Sequence, residues 1–319
     1  MFGALVAAIG GTAAYRRATA AVRATLEEAQ TSGAYAAEEA ELGWGDVSPT
    51  ASKVHTPDGA ELATWVAGQG PTVVLPHCWG CSHEIWVPVA RRLVESGHRV
   101  VLYDQRGHAA STRGTATLSM QVLGDDLANV LEANDVTDAV LAGHSMGGMT
   151  VMSLATYRPE VLGQRAKAIV LVSTAATSLT SGPEQAARAA GALIRSPITT
   201  RAMSSVHGRR FVRGVFGKDP VGAQMDLTRN LFGQCVPSVR AGFFDALVAL
   251  NLLEGIATIP LPTTVVVGSL DSLTPPRLSD QLVSGIPGAR LVTVEGRGHM
   301  LPLEDPAAVT DEILRAVKG

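Results

Sequence analysis

The stretch Ala139-Val140-Leu141-Ala142-Gly143-His144-Ser145-Met146-Gly147-Gly148 constrains this chain more than any other. An apolar run of strand length ends in a serine with a glycine two residues to either side, and the residues after it are helix-compatible. Such an order asks for a strand that turns sharply into a helix, with the serine at a strained backbone position and no space for side chains two residues away. Gly143 and Gly147 supply that space. The turn lifts the Ser145 hydroxyl above the sheet edge. It also sets the unpaired N–H groups and positive end of the new helix toward any negative charge that develops there. In a chain with 33 glycines, Gly-x-Ser-x-Gly arises readily by chance, so its weight comes from context.

The context is a series of apolar runs, each delivering polar residues at its end. Thr72-Val73-Val74-Leu75-Pro76 reads as a parallel strand buried on both faces and delivers His77-Cys78-Trp79-Gly80. Residues 99–104 and 168–173 repeat the pattern, and 84–96 and 118–132 carry helical periodicity between them. Before these, residues 52–56 and 61–67 flank a Pro57-Asp58-Gly59 turn and read as an antiparallel hairpin. Residues 263–268 form a further strand that ends in Asp271 on a loop, while Asp280 nearby is a helix-cap candidate. The last strand, 289–295, leads to Gly298-His299 and then Pro302 and Glu304-Asp305-Pro306.

A serine, an acid and a histidine in that order, each just past a strand, resemble the α/β-hydrolase family from about Val54 to the C-terminus. Gly-His-Ser-Met-Gly-Gly resembles the nucleophile elbow of its lipase and esterase members. The resemblance implies an α/β fold in which a mostly parallel central sheet is flanked by helices, with an inserted helical lid. It implies Ser145 as nucleophile, His299 as general base and acid, and Asp271 as the acid that accepts the imidazole N–H. It places the oxyanion hole at the backbone N–H groups of Met146 and Trp79.

Two departures stand out. Where the family has His-Gly, this chain has His77-Cys78, which narrows the approach to the oxyanion hole or shifts its donor. The turn Asp104-Gln105-Arg106-Gly107-His108 matches a family turn whose Asp and Arg organise loops, but it continues Ala109-Ala110-Ser111 in place of Gly-x-Ser. Of the remaining histidines, His77 reads as structural, and His55, His83, His98 and His207 as surface or loop residues.

At 319 residues the chain suits one large domain with an insertion. Residues 46–319 are assigned to the hydrolase domain, and the long span between the strands at 168–173 and 263–268 implies a helical lid at about 178–255. Apolar groups such as 189–194, Phe232, Phe243-Phe244 and 247–253 make that lid an apolar roof over a substrate, or ordinary helix packing. A net charge of −3 offers no basic footprint for nucleic acid. Three cysteines, Cys78, Cys81 and Cys235, make no disulfide framework, and the Cys78–Cys81 spacing lacks the second pair that a zinc site needs. Two loop thiols is the preferred reading. No metal, nucleotide or haem cofactor is implied.

Residues 1–45 read as an appended helical segment. Its first 14 residues are apolar and uncharged, but at about 20 Å as a helix they fall short of a hydrocarbon core of about 30 Å. Arg16 and Arg17 come after the apolar run, whereas a secretory signal carries its charges before it. The segment is expected on a membrane surface, on a second copy of the chain, or on its own domain, in a cytoplasmic protein. For the reaction, the expectation is hydrolysis of an ester with a small or apolar acyl group. The same three residues in this family also serve lactonases, C–C bond hydrolases and cofactor-free perhydrolases, and a non-hydrolytic ligand-binding protein is a further alternative.

Overall fold

The computed structural model describes residues 33–178, 191–203 and 206–319. Eight strands form one sheet: β1 (Thr50–His55), β2 (Glu61–Ala67), β3 (Thr72–Pro76), β4 (Arg99–Tyr103), β5 (Ala139–His144), β6 (Ala166–Val172), β7 (Thr263–Gly268) and β8 (Arg290–Val294). Their spatial order is β1-β2-β4-β3-β5-β6-β7-β8. The first three in that order pair antiparallel, and every later pair is parallel. This is the α/β architecture, a mostly parallel sheet flanked by helices, that the resemblance implies.

The helices are α1 (Gly33–Glu41), α2 (Val87–Glu95), α3 (Met120–Ala133), α4 (Met146–Tyr157), α5 (Pro159–Arg165), α6 (Pro197–Met203), α7 (Val206–Arg213), α8 (Gly222–Gln234), α9 (Pro237–Val248), α10 (Leu253–Ile256), α11 (Pro276–Gly285), α12 (Leu301–Glu304) and α13 (Pro306–Lys318). The strand period of two divides the core between the faces. Val74, Val101, Leu141, Ile169 and Val265 join residues of α3, α4 and α11 in one apolar layer. Val73, Val100, Val140, Val170 and Val266 join residues of α2 and α13 in the other. Central strands β3, β5 and β7 are therefore buried throughout, whereas β1 and β8, at the edges, are mostly exposed or half-buried.

Local chemistry adjusts the expected boundaries. The helix expected at 84–96 begins as a 3-10 turn at His83–Trp86 and becomes α-helical at Val87, where Pro88 fits the first turn because no N–H is needed there. The helix expected at 118–132 starts at Met120, because the Ser119 hydroxyl accepts the Val122 N–H and caps it.

Between β6 and β7 the chain leaves the sheet and returns at an antiparallel bridge, Thr177 with Asn251. The described part of this insertion is helical, with α6 to α9 its named elements. It lies over the C-terminal ends of the strands. Phe232 packs edge-on against Trp79 beyond β3, with ring centroids 5.2 Å apart, and Phe243 lies 5.6 Å from His108 beyond β4. Residues 179–190, and with them the first two of the expected group at 189–194, lie outside the described residues, as does the apolar N-terminus 1–32. The described helix α1 packs on its own chain. Tyr35 donates to Asp226 at 3.0 Å and Glu38 accepts the Ala223 N–H on α8, while Glu41 pairs with Arg91 of α2. Among the described residues no helix is long and apolar enough to cross a membrane.

Candidate active site

Parallel strands put their carboxyl ends along one edge, so residues just past β5, β7 and β8 converge there. Ser145 is the hinge between β5 and α4, with φ 54° and ψ −117°, a conformation that L-residues rarely hold. The two flanking glycines explain how it is held. A Cβ on Gly143 would lie 2.3 Å from Gly147 O, and one on Gly147 would lie 2.1 Å from Pro76 O. Side chains at either position would push β5, α4 and the end of β3 apart, so the sharp turn exists only with glycine on both sides.

The structure brings Asp271 and His299 together. His299 Nδ1 is 3.0 Å from Asp271 Oδ2 and 3.1 Å from Oδ1, with both side chains almost wholly buried. An ionised carboxylate only accepts, so Nδ1 carries the proton and Nε2 presents its lone pair. Burial opposes the charge on Asp271. Electrostatic attraction to the imidazole and hydrogen bonds from His299 and from Thr274 outweigh it and hold the acid below its ordinary pKa. Thr274 donates its hydroxyl to Oδ2 at 2.7 Å, and the N–H groups of Leu273 and Thr274 donate to Oδ1.

Ser145 Oγ and His299 Nε2 make no hydrogen bond to each other. The elbow and the pair are joined instead by the residue before the serine, whose Nε2 donates to His299 O at 2.8 Å. Burial lowers the pKa of that residue, His144, to about 3, so it is a neutral donor with its proton on Nε2.

Met146 is the first residue of α4, where a backbone N–H has no partner within the helix. Trp79 stands three residues past β3. Its Nε1 donates to Arg240 O in α9 at 3.0 Å, so the insertion fixes its ring. Contact of the Gly147 position with Pro76 and His77 carbonyls sets the Trp79 loop directly beside the start of α4. Cys78, which stands where the family has glycine, is buried in the apolar layer that contains Ile85 and Trp86.

Several polar residues around the site hold loops. His77 Nδ1 donates to Cys78 O, and its Nε2 accepts the Gln105 N–H. His83, expected as a surface or loop residue, opens the 3-10 turn half-buried, stacked 3.5 Å from Trp65 and with its Nδ1 2.9 Å from Asp104. A strand-facing aromatic partner is invisible in local sequence. Ala109, in place of the glycine usual at that turn, takes φ 42° and bears the strain itself. Of the residues that brace the site, sequence reasoning gave no bracing role to Thr274, nor to His144 and Glu304, which it met only as members of the elbow and the histidine loop. Only the first carries a local signal, an Asp with a hydroxyl three residues later that folds back on it. Among the described residues no group of three His, Cys, Asp or Glu side chains converges as a metal site.

Comparison with known proteins finds relatives among hydrolases. Over 270 residues the chain is 27% identical to a putative carbamate hydrolase, RutD, of Azorhizobium caulinodans, covering 80% of this chain and 94% of that one. It is 28% identical over 221 residues to 3-oxoadipate enol-lactonase 1 of Acinetobacter baylyi, covering 68% and 78%. The solved esterase EaEST of Exiguobacterium antarcticum shares the fold, with a TM-score of 0.76 at 22% identity over 85% of this chain and all of that one. The model of the alpha/beta hydrolase family matches residues 73–312, and this chain belongs to that family.

Proposed function

We propose that this protein is a serine hydrolase that cleaves an ester of a small or apolar acyl group through an acyl-enzyme. The carrying observation is the strained Ser145 at the head of α4, beside a buried Asp271–His299 pair whose Nε2 is left to accept a proton. Ser145 Oγ attacks the ester carbonyl as His299 Nε2 takes its proton, the two closing to hydrogen-bond distance around the substrate. Asp271 holds the tautomer and stabilises the imidazolium. The tetrahedral oxyanion is received by the N–H groups of Met146 and Trp79, each worth about 3 kcal/mol by the magnitude known for such donors. The imidazolium then protonates the leaving alcohol, and water repeats the sequence on the acyl-enzyme.

The insertion acts as a lid in this reading. Trp79, Phe232 and Phe244 form an aromatic group where it meets the Trp79 loop, which suits an apolar acyl chain. The likeness to an enol-lactonase favours a second substrate, a lactone, opened by the same attack. The test is the hydrolysis rate of a ladder of p-nitrophenyl esters from acetyl to palmitoyl, with lactones alongside, for wild type and Ser145→Ala. Turnover lost by at least about 10⁴-fold in the variant is expected. Equal rates in both proteins would overturn the nucleophile, and tight binding of an ester without turnover would favour a ligand-binding protein.

A further inference from the structure

His299 is held by its main chain as firmly as by its ring. Its N–H donates to Val215 O at 2.7 Å, and its carbonyl accepts from His144. On either side of it, the N–H groups of Gly298 and Met300 donate to one carboxylate, that of Glu304, at 2.9 Å and 3.0 Å. The same carboxylate takes a third N–H, from Gly217, at 2.7 Å.

Gly217 belongs to a strap, residues 214–218, that is part of the insertion and meets the histidine loop backbone to backbone. Lys218 N donates to Gly296 O at 2.8 Å. A Cβ on Gly298 would lie 2.5 Å from Gly217 N, and one on Gly217 would lie 2.2 Å from Gly296 O. The strap also touches the loop of the acid, where Ser272 Oγ donates to Gly214 O at 2.8 Å. Helix capping accounts for only one of these bonds: Met300 is the N-cap of α12, whereas Gly298 and Gly217 lie outside that helix and α13 is capped by Asp305, which accepts the Ala308 N–H.

A buried carboxylate that collects three N–H groups from two chain segments fixes all three donors at once, since each would otherwise be left unpaired away from water. We infer that Glu304 is a positioning residue for His299, and that the strap at 214–218 is a structural part of the active site through it. The inference rests on Ser145 and His299 acting as proposed. One consequence is that movement of the insertion leaves the strap in place and occurs in the helices beyond it.

The test is the labelling of Ser145 by a fluorophosphonate, which reports serine attack without knowledge of the substrate. In Glu304→Gln, an amide NH₂ replaces one accepting oxygen at unchanged shape. Its maximal labelling rate is expected to fall about 10- to 100-fold while the half-saturating probe concentration stays within about threefold. A role in stability alone would lower the labelled fraction and leave the rate of the folded molecules unchanged. Wild-type rate in folded Glu304→Gln overturns the inference. If that variant does not fold, Ser272→Ala, which loses an exposed tie to the same strap, decides the matter. A rate about 3- to 10-fold slower supports the inference and an unchanged rate overturns it. Wild type that is not labelled, or Ser145→Ala labelled as fast as wild type, instead sinks the proposed function and takes this inference with it.

Discussion

The turn after β4 and the loop after β8 are made of similar parts. In the first, Arg106 is wholly buried and its five N–H donors make five bonds: two to Asp126, two to Asp58 and one to Arg113 O. The guanidinium hydrogen bonds hold Asp58 far below the usual carboxylate range. In the second, His299 is bonded through one nitrogen to Asp271, a carboxylate paired just as fully that comes from the loop after β7, and its Nε2 is without a partner among the described residues. A saturated cluster ties three segments together and has no capacity left for chemistry. A cluster with one open nitrogen, held rigid by everything around it, is what proton transfer requires. The two regions are thus expected to separate on mutation into one that carries stability and one that carries rate.

The largest effect is expected at the second. Asp271→Asn keeps shape but favours the wrong imidazole tautomer, and kcat for ester hydrolysis should fall by about 10⁴-fold. A loss below about tenfold would break the comparison. Arg106→Met tests the other side. It strands Asp126 in the interior, so a loss of about 3–5 kcal/mol in urea unfolding is expected, with fluorophosphonate labelling per folded molecule unchanged.

A third prediction concerns pH. Burial lowers the pKa of His77 to about 3, His108 to about 4 and His144 to about 3. The folded protein refuses protons that the unfolded chain accepts once pH falls below about 6.5. Stability from these groups is therefore complete above about pH 6.5 and lost as pH falls toward about 4, at about 1.4 kcal/mol per histidine per pH unit. Urea midpoints between about pH 7 and pH 4.5 check the slope, and His77→Gln should reduce it by about a third. A flat profile would mean that these residues are protonated in the fold. The smallest effect separates neighbours. Asp305→Ala removes the cap of α13 and is expected to cost about 1 kcal/mol without slowing labelling, in contrast to Glu304→Gln one residue away.

The sheet was legible because its strands obey strong local rules. The apolar runs at β3, β5, β6 and β7 stand out between turn signals, and all four are central strands. Asp271 and His299 were legible as loop residues past strands, and the structure brings them together. What resisted reading were partners separated by long stretches of chain. Nothing near His83 announces Trp65, and nothing near Glu304 announces Gly217, because hydrogen bonds to backbone N–H groups leave no mark on the identity of the donor.

By itself, then, the sequence determined where the backbone must bend and which way each strand residue faces, since glycine at 143 and 147 and the period of two act through neighbours along the chain. Only the tertiary structure decided what each polar side chain does. It made Arg106 a saturated tie and Glu304 a brace on the histidine loop, and it gave His299 its open nitrogen. Hydrogen-bond saturation depends on how many donors and acceptors the fold gathers within about 3 Å, and that count belongs to the packed chain alone.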